Sequence, residues 1–295
     1  MSMTVTFKGG ARFSWAGYRR RSAWVAIGSM VALLGGCATI EADDSELPTT
    51  SSRTEAVFAP PDPDTIPATA TGDVIRSGYQ LVIDTQHQAR AYVGNALNCT
   101  NCHLDAGRRL GAAPFVGLAT LFPEYRARND RMNRLEDRLD DCFQRSMNGR
   151  PLPPGSHEQA ALVAYINWLS QGVPKDAART WRGFRRISAA RQPDPLKGKV
   201  LFAGQCAACH GDDGHGTLTG PPVWGARSFN IAAGMARVSL AAAFIKANMP
   251  LGQGGTLSDD EAYDLAAYIT SQPRPDFAGK AGDWPKGGRP ADSPY

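Results

Sequence analysis

Six cysteines stand in a chain of 295 residues: Cys37, Cys99, Cys102, Cys142, Cys206 and Cys209. Four of them fall in two copies of one pattern, Cys99-Thr100-Asn101-Cys102-His103 and Cys206-Ala207-Ala208-Cys209-His210. In C-x-x-C-H the two thiols form thioethers to the vinyl groups of a porphyrin, and the histidine offers a ring nitrogen to its iron. A zinc site needs further ligand pairs, and a thioredoxin-like motif needs a βαβ setting. Neither accompanies these cysteines. Disulfides are the default use of cysteine in an exported chain, but the repeated spacing predicts two covalently attached haem c groups. Cys99 and Cys102 would carry one and Cys206 and Cys209 the other, with His103 and His210 as axial ligands.

Cys142 lies 39 residues after His103, and Met249 lies 39 residues after His210. A thiolate or a thioether can complete the coordination of haem iron. Over 135–147, Leu135, Leu139 and Phe143 recur at every fourth position and predict the core face of a helix. Arg138, Cys142 and Ser146 share the adjoining stripe, so the cysteine has a guanidinium one turn before it and a hydroxyl one turn after. A neighbouring arginine favours thiolate, and this setting ranks Cys142 above Met147. At the second haem the candidates are Met235, Met249 and His215, of which His215 is too close to its attachment motif to reach the opposite face easily. Thiolate ligation lowers and methionine ligation raises a reduction potential. Electrons would then arrive at the first haem and leave from the second.

Between Arg108 and Arg150 there are nine arginines and no lysine. Arginine presents fixed, forked donors to oxyanions, so an anionic substrate is expected near Cys142. Six acids share that span; many of the arginines are therefore expected to be surface ion pairs, with only those near Cys142 functional.

The elements that must position these groups repeat as well. Pro114 follows His103 by eleven residues, and Pro221 follows His210 by eleven. Each half ends in an amphipathic helix opened by a capping box, at Ser156-His157-Glu158-Gln159 and at Ser258-Asp259-Asp260-Glu261. Helices over Val74–Thr85 and Pro195–Ala203 precede the haem motifs, the second with proline at its start. The organisation expected is a signal peptide over 1–36, a tether over 37–71, a first domain over 72–174, a linker over 175–193, a second domain over 194–275 and a flexible tail over 276–295. The arginine-rich linker reads as a solvated connector, and the Gly- and Pro-rich tail as disordered.

Arg19, Arg20 and Arg21 precede an apolar stretch from Ala23 to Gly36, the order of a secretory signal. The stretch closes with Leu33-Leu34-Gly35-Gly36-Cys37, similar to a bacterial lipobox, which implies cleavage before Cys37 and lipidation of its thiol. The expected location is periplasmic, with the lipidated Cys37 at a membrane surface. Uninterrupted apolar runs fall short of the ~20 residues of a spanning helix. The net charge of +4 is carried by the five basic residues of 1–36; the remainder holds 27 basic and 28 acidic residues. Charge therefore lends no support to nucleic-acid binding.

Taken together, the halves resemble two class I cytochrome c domains in tandem, an all-α fold with one haem c each. Leu196-Lys197-Gly198-Lys199-Val200-Leu201-Phe202 and Gly220-Pro221-Pro222-Val223-Trp224-Gly225 carry that likeness. The resemblance implies that the carbonyl of Pro221 accepts the Nδ1 hydrogen of His210, with Pro114 serving His103 in the same way, and that Met249 is the second ligand. Asn98–Gly107, Asp141–Gly149 and Ala243–Gly252 are more specific and resemble the dihaem thiosulfate dehydrogenases over about Asp73 to Arg274. The family couples two thiosulfates into tetrathionate. It implies His103/Cys142 and His210/Met249 ligation, substrate contacts from Arg128, Arg138 and Ser146, and a cytochrome c or other periplasmic electron acceptor. Some members carry a lysine, proposed to exchange with methionine as ligand, where this chain has Asn248; asparagine is a poor iron ligand. The competing readings are a tetrathionate reductase at the same site, a membrane-anchored dihaem electron carrier, and a sulfur-carrier subunit working with a partner chain.

Overall fold

The computed structural model describes residues 57–177 and 179–295. The signal peptide, Cys37 and the tether up to residue 56 lie outside the described residues. Thr69 opens helix α1 (Ala70–Ile83), its hydroxyl accepting from the Gly72 amide. That cap starts the helix four residues before the expected Val74. The chain is already docked ahead of it: Ile66 is buried, and Phe58 meets Trp181 edge-on at 5.4 Å.

Helix α2 (Leu135–Arg145) follows the predicted stripe, burying Leu135, Leu139 and Phe143. Its start is tied by the Asp137 carboxylate, which accepts from the Arg134 amide at 2.7 Å. Helix α3 (His157–Leu169) begins at Ser156, which accepts from the Gln159 amide. The expected box is one-sided here, because Gln159 Oε1 takes the Gly155 amide instead. In the second half, α4 (Pro195–Gln205) starts under the Asp194 carboxylate with proline in its first turn. Helices α5 (Val238–Asn248) and α6 (Asp259–Ser271) follow, and the Ser258–Glu261 box is reciprocal.

The two halves pack alike. Helix α1 crosses α3, and α4 crosses α6, each at a glycine. A Cβ on Gly78 would come within 2.0 Å of the Ala161 carbonyl oxygen, and one on Gly198 within 2.0 Å of that of Asp264. A tyrosine side chain, Tyr165 or Tyr268, flanks each crossing. No other residue permits that approach, so the repeat extends to the pivot of each helix pair.

Three segments depart from expectation. A hairpin of β1 (Glu124–Arg126) and β2 (Arg131–Asn133) interrupts the all-α first half, paired Glu124↔Asn133 and Arg126↔Arg131. Asp130 takes the left-handed turn position, φ 51°, that Asp tolerates best among non-glycines. The linker is not a solvated connector: Trp181 is buried and donates to the Val116 carbonyl, Arg182 pairs with Glu124, and Arg191 grips Asp264. The tail over 276–295 is not free either. Asp283 accepts both Nη groups of Arg145 at 2.7 and 2.8 Å, and Asp292 caps α5 through the amide and hydroxyl of Ser239. Specific acid–arginine pairs tie down a segment whose composition alone reads as coil.

The two cores meet. Phe229, Ala233 and Ala236 of the second half belong to the same buried cluster as the core of the first, which includes Phe143, Leu162 and Tyr165. Asn230 donates to the carbonyl of Gln144 and the side chain of Asn148.

Candidate functional site

Each C-x-x-C-H motif lines an apolar cavity. The first, of about 280 Å³, is lined by Cys99, Cys102 and His103 and by Arg138, Cys142, Ser146 and Met147. The second, of about 270 Å³, is walled by Cys206, Cys209, His210, Pro221, Met235 and Met249. Leu97, Cys102, Phe229 and Met235 line both, so the cavities share a wall of side chains.

His210 Nδ1 donates to the Pro221 carbonyl at 2.7 Å, as expected. His103 Nδ1 donates at 2.7 Å to Ala113, not to Pro114. The first loop carries its acceptor one residue earlier because Ala113 takes a left-handed backbone, φ 47°, which turns its carbonyl onto the ring. Burial pushes the His103 pKa down to about 4, against the pull of the Ala113 bond and with Arg138 adding to the fall. The imidazole is therefore neutral, with Nδ1–H committed and the Nε2 lone pair free. Asp105 and Ala106, directly after the motif, also have left-handed backbones; the buried Tyr165 hydroxyl holds that turn through the Ala106 carbonyl at 2.9 Å.

These walls fit haem c. Both motifs present two thiols and a histidine to one apolar cavity, each with a sulfur-bearing side chain also on the lining. None of the described cysteines is bridged to another. Burial pushes the thiols of Cys99 and Cys206 up to about 11 and that of Cys102 up to about 12, so they are protonated until they are alkylated. Arg274, stacked on Phe229 at 4.4 Å, keeps Nε and Nη1 buried without a partner. A buried cation with no anion beside it among the described residues suits a cofactor that brings carboxylates.

Helix α2 turns its second stripe to the first cavity. Arg138 Nη1 donates to Cys142 Sγ at 3.0 Å. The Cys142 charge raises the Arg138 pKa, outweighing the burial that opposes it. Beyond Arg138 and Ser146 a polar cavity of about 430 Å³ opens, sharing those residues, Arg126 and Arg182 with the haem pocket. It is lined by six arginines (Arg126, Arg128, Arg138, Arg145, Arg182 and Arg237) and by two acids, Glu124 and Asp141. Arg128 stands in the hairpin turn, donates through Nη1 to the Ala232 carbonyl at 2.8 Å, and lies over the Trp284 ring at 4.7 Å. Burial, with Arg145 close by, lowers its pKa. Arg138 and Ser146 thus stand where the two cavities join, whereas Arg128 lines only the outer one. The contributions of Arg182, Arg237 and Trp284 come from distant segments and carry no local signal in the sequence.

Paired attachment motifs, each in its own cytochrome c domain, define a dihaem c-type cytochrome. Residues 89–174 match the model for the SoxA/TsdA cytochrome c domain, and residues 193–269 that for the cbb3-type cytochrome c oxidase subunit III. The thiosulfate dehydrogenase of Stutzerimonas stutzeri is 46% identical over 227 residues, covering 75% of this chain and 74% of its own. That of Allochromatium vinosum is 44% identical, covering 74% and 84%. The solved thiosulfate dehydrogenase TsdBA from Marichromatium purpuratum superposes with a TM-score of 0.71 at 39% identity, covering 74% of this chain; the chain spans half the length of that protein. The chain belongs to the thiosulfate dehydrogenase family, and it holds two haem c groups.

Proposed function

We propose that the protein oxidises two thiosulfates to tetrathionate at the junction of the first haem pocket and the arginine-lined cavity. His103 and Cys142 would hold the first haem iron and His210 and Met249 the second; each pair lines one cavity. Met147 shares the first lining but lies buried in the core, whereas Cys142 also carries the Arg138 donor. The Arg138–Cys142 contact, at the mouth of a cationic cavity, is the observation that carries the proposal.

The haem c groups, when bound, supply the electron sink, one electron each. Arg138 Nη1 donates to the Cys142 sulfur and orients it toward the arginine-lined cavity. Arg128 and Arg138 receive sulfonate oxygens and offset the repulsion between two dianions, and Ser146 donates a hydrogen bond. Cys142 forms a sulfur–sulfur bond with the sulfane sulfur of the first thiosulfate, and two electrons leave. The sulfane sulfur of the second thiosulfate attacks the outer sulfur of that adduct. The bond to Cys142 breaks, tetrathionate departs, and the thiolate returns with no proton gained or lost. An external cytochrome or similar acceptor collects the electrons.

The test is rapid mixing of the oxidised, haem-loaded protein with thiosulfate. Haem reduction and steady tetrathionate formation with an artificial acceptor, both lost in Cys142→Gly, are expected. No reduction and no tetrathionate would leave an electron carrier, and turnover only from tetrathionate would leave the reductase. Export to the periplasm and lipidation of Cys37 complete the reading. Labelled fatty acid should enter the protein and fail to enter Cys37→Ala.

A further inference from the structure

Trp284 touches Arg128 twice. Its ring lies under the guanidinium at 4.7 Å, and its backbone N–H donates to the Arg128 carbonyl at 2.7 Å. To do so Trp284 adopts φ 55°, a left-handed backbone that bulky residues rarely take. Such a conformation persists only where the surroundings over-determine it. Here they do. The preceding residue, Asp283, has a side chain only 3% exposed and is locked by Arg145. The Tyr295 hydroxyl donates to the same carboxylate, and its ring lies 5.7 Å from that of Trp284. Lys286 reaches Asp130, in the hairpin turn that carries Arg128, at 2.8 Å.

From the other side, Arg128 Nη1 is held by the Ala232 carbonyl at 2.8 Å. The guanidinium is therefore fixed between an indole and a backbone oxygen contributed by two distant segments. Trp284 and Arg128 both line the arginine-rich cavity, as does Pro290. An arginine stacked on an aromatic face keeps N–H donors at its edge for an oxyanion. Ordering a long side chain before the ligand arrives removes that cost from binding.

We propose that segment 283–295 forms one wall of the substrate cavity and that Trp284 is a positioning residue which sets the Arg128 guanidinium for the substrate's sulfonate. The inference rests on the reading of Arg128 as a thiosulfate contact. It also gives a further use to a segment that already holds Arg145 and caps α5.

The experiment compares haem-loaded wild type with Trp284→Asn, Trp284→Phe, Arg128→Ala and the Arg128→Ala/Trp284→Asn double variant. Asparagine removes the ring yet tolerates the left-handed backbone. Trp284→Asn should raise the thiosulfate KM about ten-fold with a smaller change in kcat and an unchanged haem spectrum. Trp284→Phe should recover most of the loss, and adding Trp284→Asn to Arg128→Ala should change nothing further. Parental KM in Trp284→Asn beside a raised KM in Arg128→Ala overturns the positioning role alone, as do additive effects in the double variant. Parental KM in Arg128→Ala overturns the underlying reading of the cavity, and the positioning role with it.

Discussion

Arg138 Nη1 stands 3.0 Å from Cys142 Sγ, one turn back along the same helix, and both side chains are half-buried at the wall of the first haem pocket. The pair is local in sequence, yet its meaning comes from position. Arg138 also borders a cavity lined by further arginines. One guanidinium thus borders a cysteine sulfur and a cationic cavity together.

Arg138→Gln keeps a donor near Cys142 and removes the charge. A hydrogen bond to a charged group contributes about 1.5–3 kcal/mol, so kcat/KM for thiosulfate should fall roughly ten- to hundred-fold. Arg138→Lys should fall between parent and Arg138→Gln, because the charge stays while the fork is lost. Steady-state assays with an artificial acceptor decide this, and equal activity in all three proteins would remove Arg138 from the site.

Asp283 and Arg145 form a bidentate pair with side chains 3% and 10% exposed. Asp283→Ala leaves a buried guanidinium with Asp141, 3.4 Å away, as its remaining carboxylate among the described residues. Breaking such a pair costs about 3 kcal/mol. The variant should unfold at lower denaturant, and limited proteolysis should cut within 276–295 where the parent resists.

Asn248 is fully buried at the end of α5, and its Nδ2 donates at 3.0 Å to the carbonyls of Phe244 and of Gly111 in the first domain. Its Oδ1 has no partner. Asn248→Ala strands the Gly111 carbonyl but also removes an uncompensated acceptor, so the two effects partly offset. We expect a net loss of about 1 kcal/mol, read as a melting temperature a few degrees lower in the haem-loaded protein.

Acid should weaken the second domain through Asp264. Its burial raises the carboxyl pKa, but the Arg191 fork, the Asp194 amide and the nearby Lys197 together outweigh it, and the pKa lies below the ordinary carboxylate value. A depressed pKa adds stability that is present above the unfolded value near 4 and lost as pH falls through the folded one. Arg191 is about a third exposed, so the contribution is on the order of 1–2 kcal/mol. Melting curves of parent and Asp264→Asn should differ most at pH 6–7 and converge toward pH 3. A gap that widens in acid would contradict this account.

What was legible in the sequence shares one property: it is local or periodic. The C-x-x-C-H motifs, the 39-residue offsets to Cys142 and Met249, the stripe of α2 and the Ser258 box all lie within one or two elements. The acceptor for His103 was misplaced by one residue, because the register of a loop depends on a backbone angle at Ala113 that alanine does not announce. The pivots at Gly78 and Gly198 were legible only as glycines. Arg145 and Asp283 are 138 positions apart, and nothing in either neighbourhood names the other. The same holds for Arg128 with Ala232 and Trp284. Gly and Pro content suggested a loose end over 276–295, since composition records what a segment cannot bury and not what it can grip.

The two haem motifs are complete long before the arginine-lined cavity is. Synthesis delivers Cys99 and Cys206 to the haem-attachment machinery well ahead of Trp284, Pro290 and Tyr295, which close the far wall. A chain cut short after the second domain would carry both attachment motifs while lacking the Asp283 partner of Arg145, the Asp292 cap of α5 and part of the wall of the arginine-lined cavity. Absorbance per haem reports how many haems are attached and not whether Trp284 and Pro290 stand in the cavity wall, so a preparation needs a separate check on that segment.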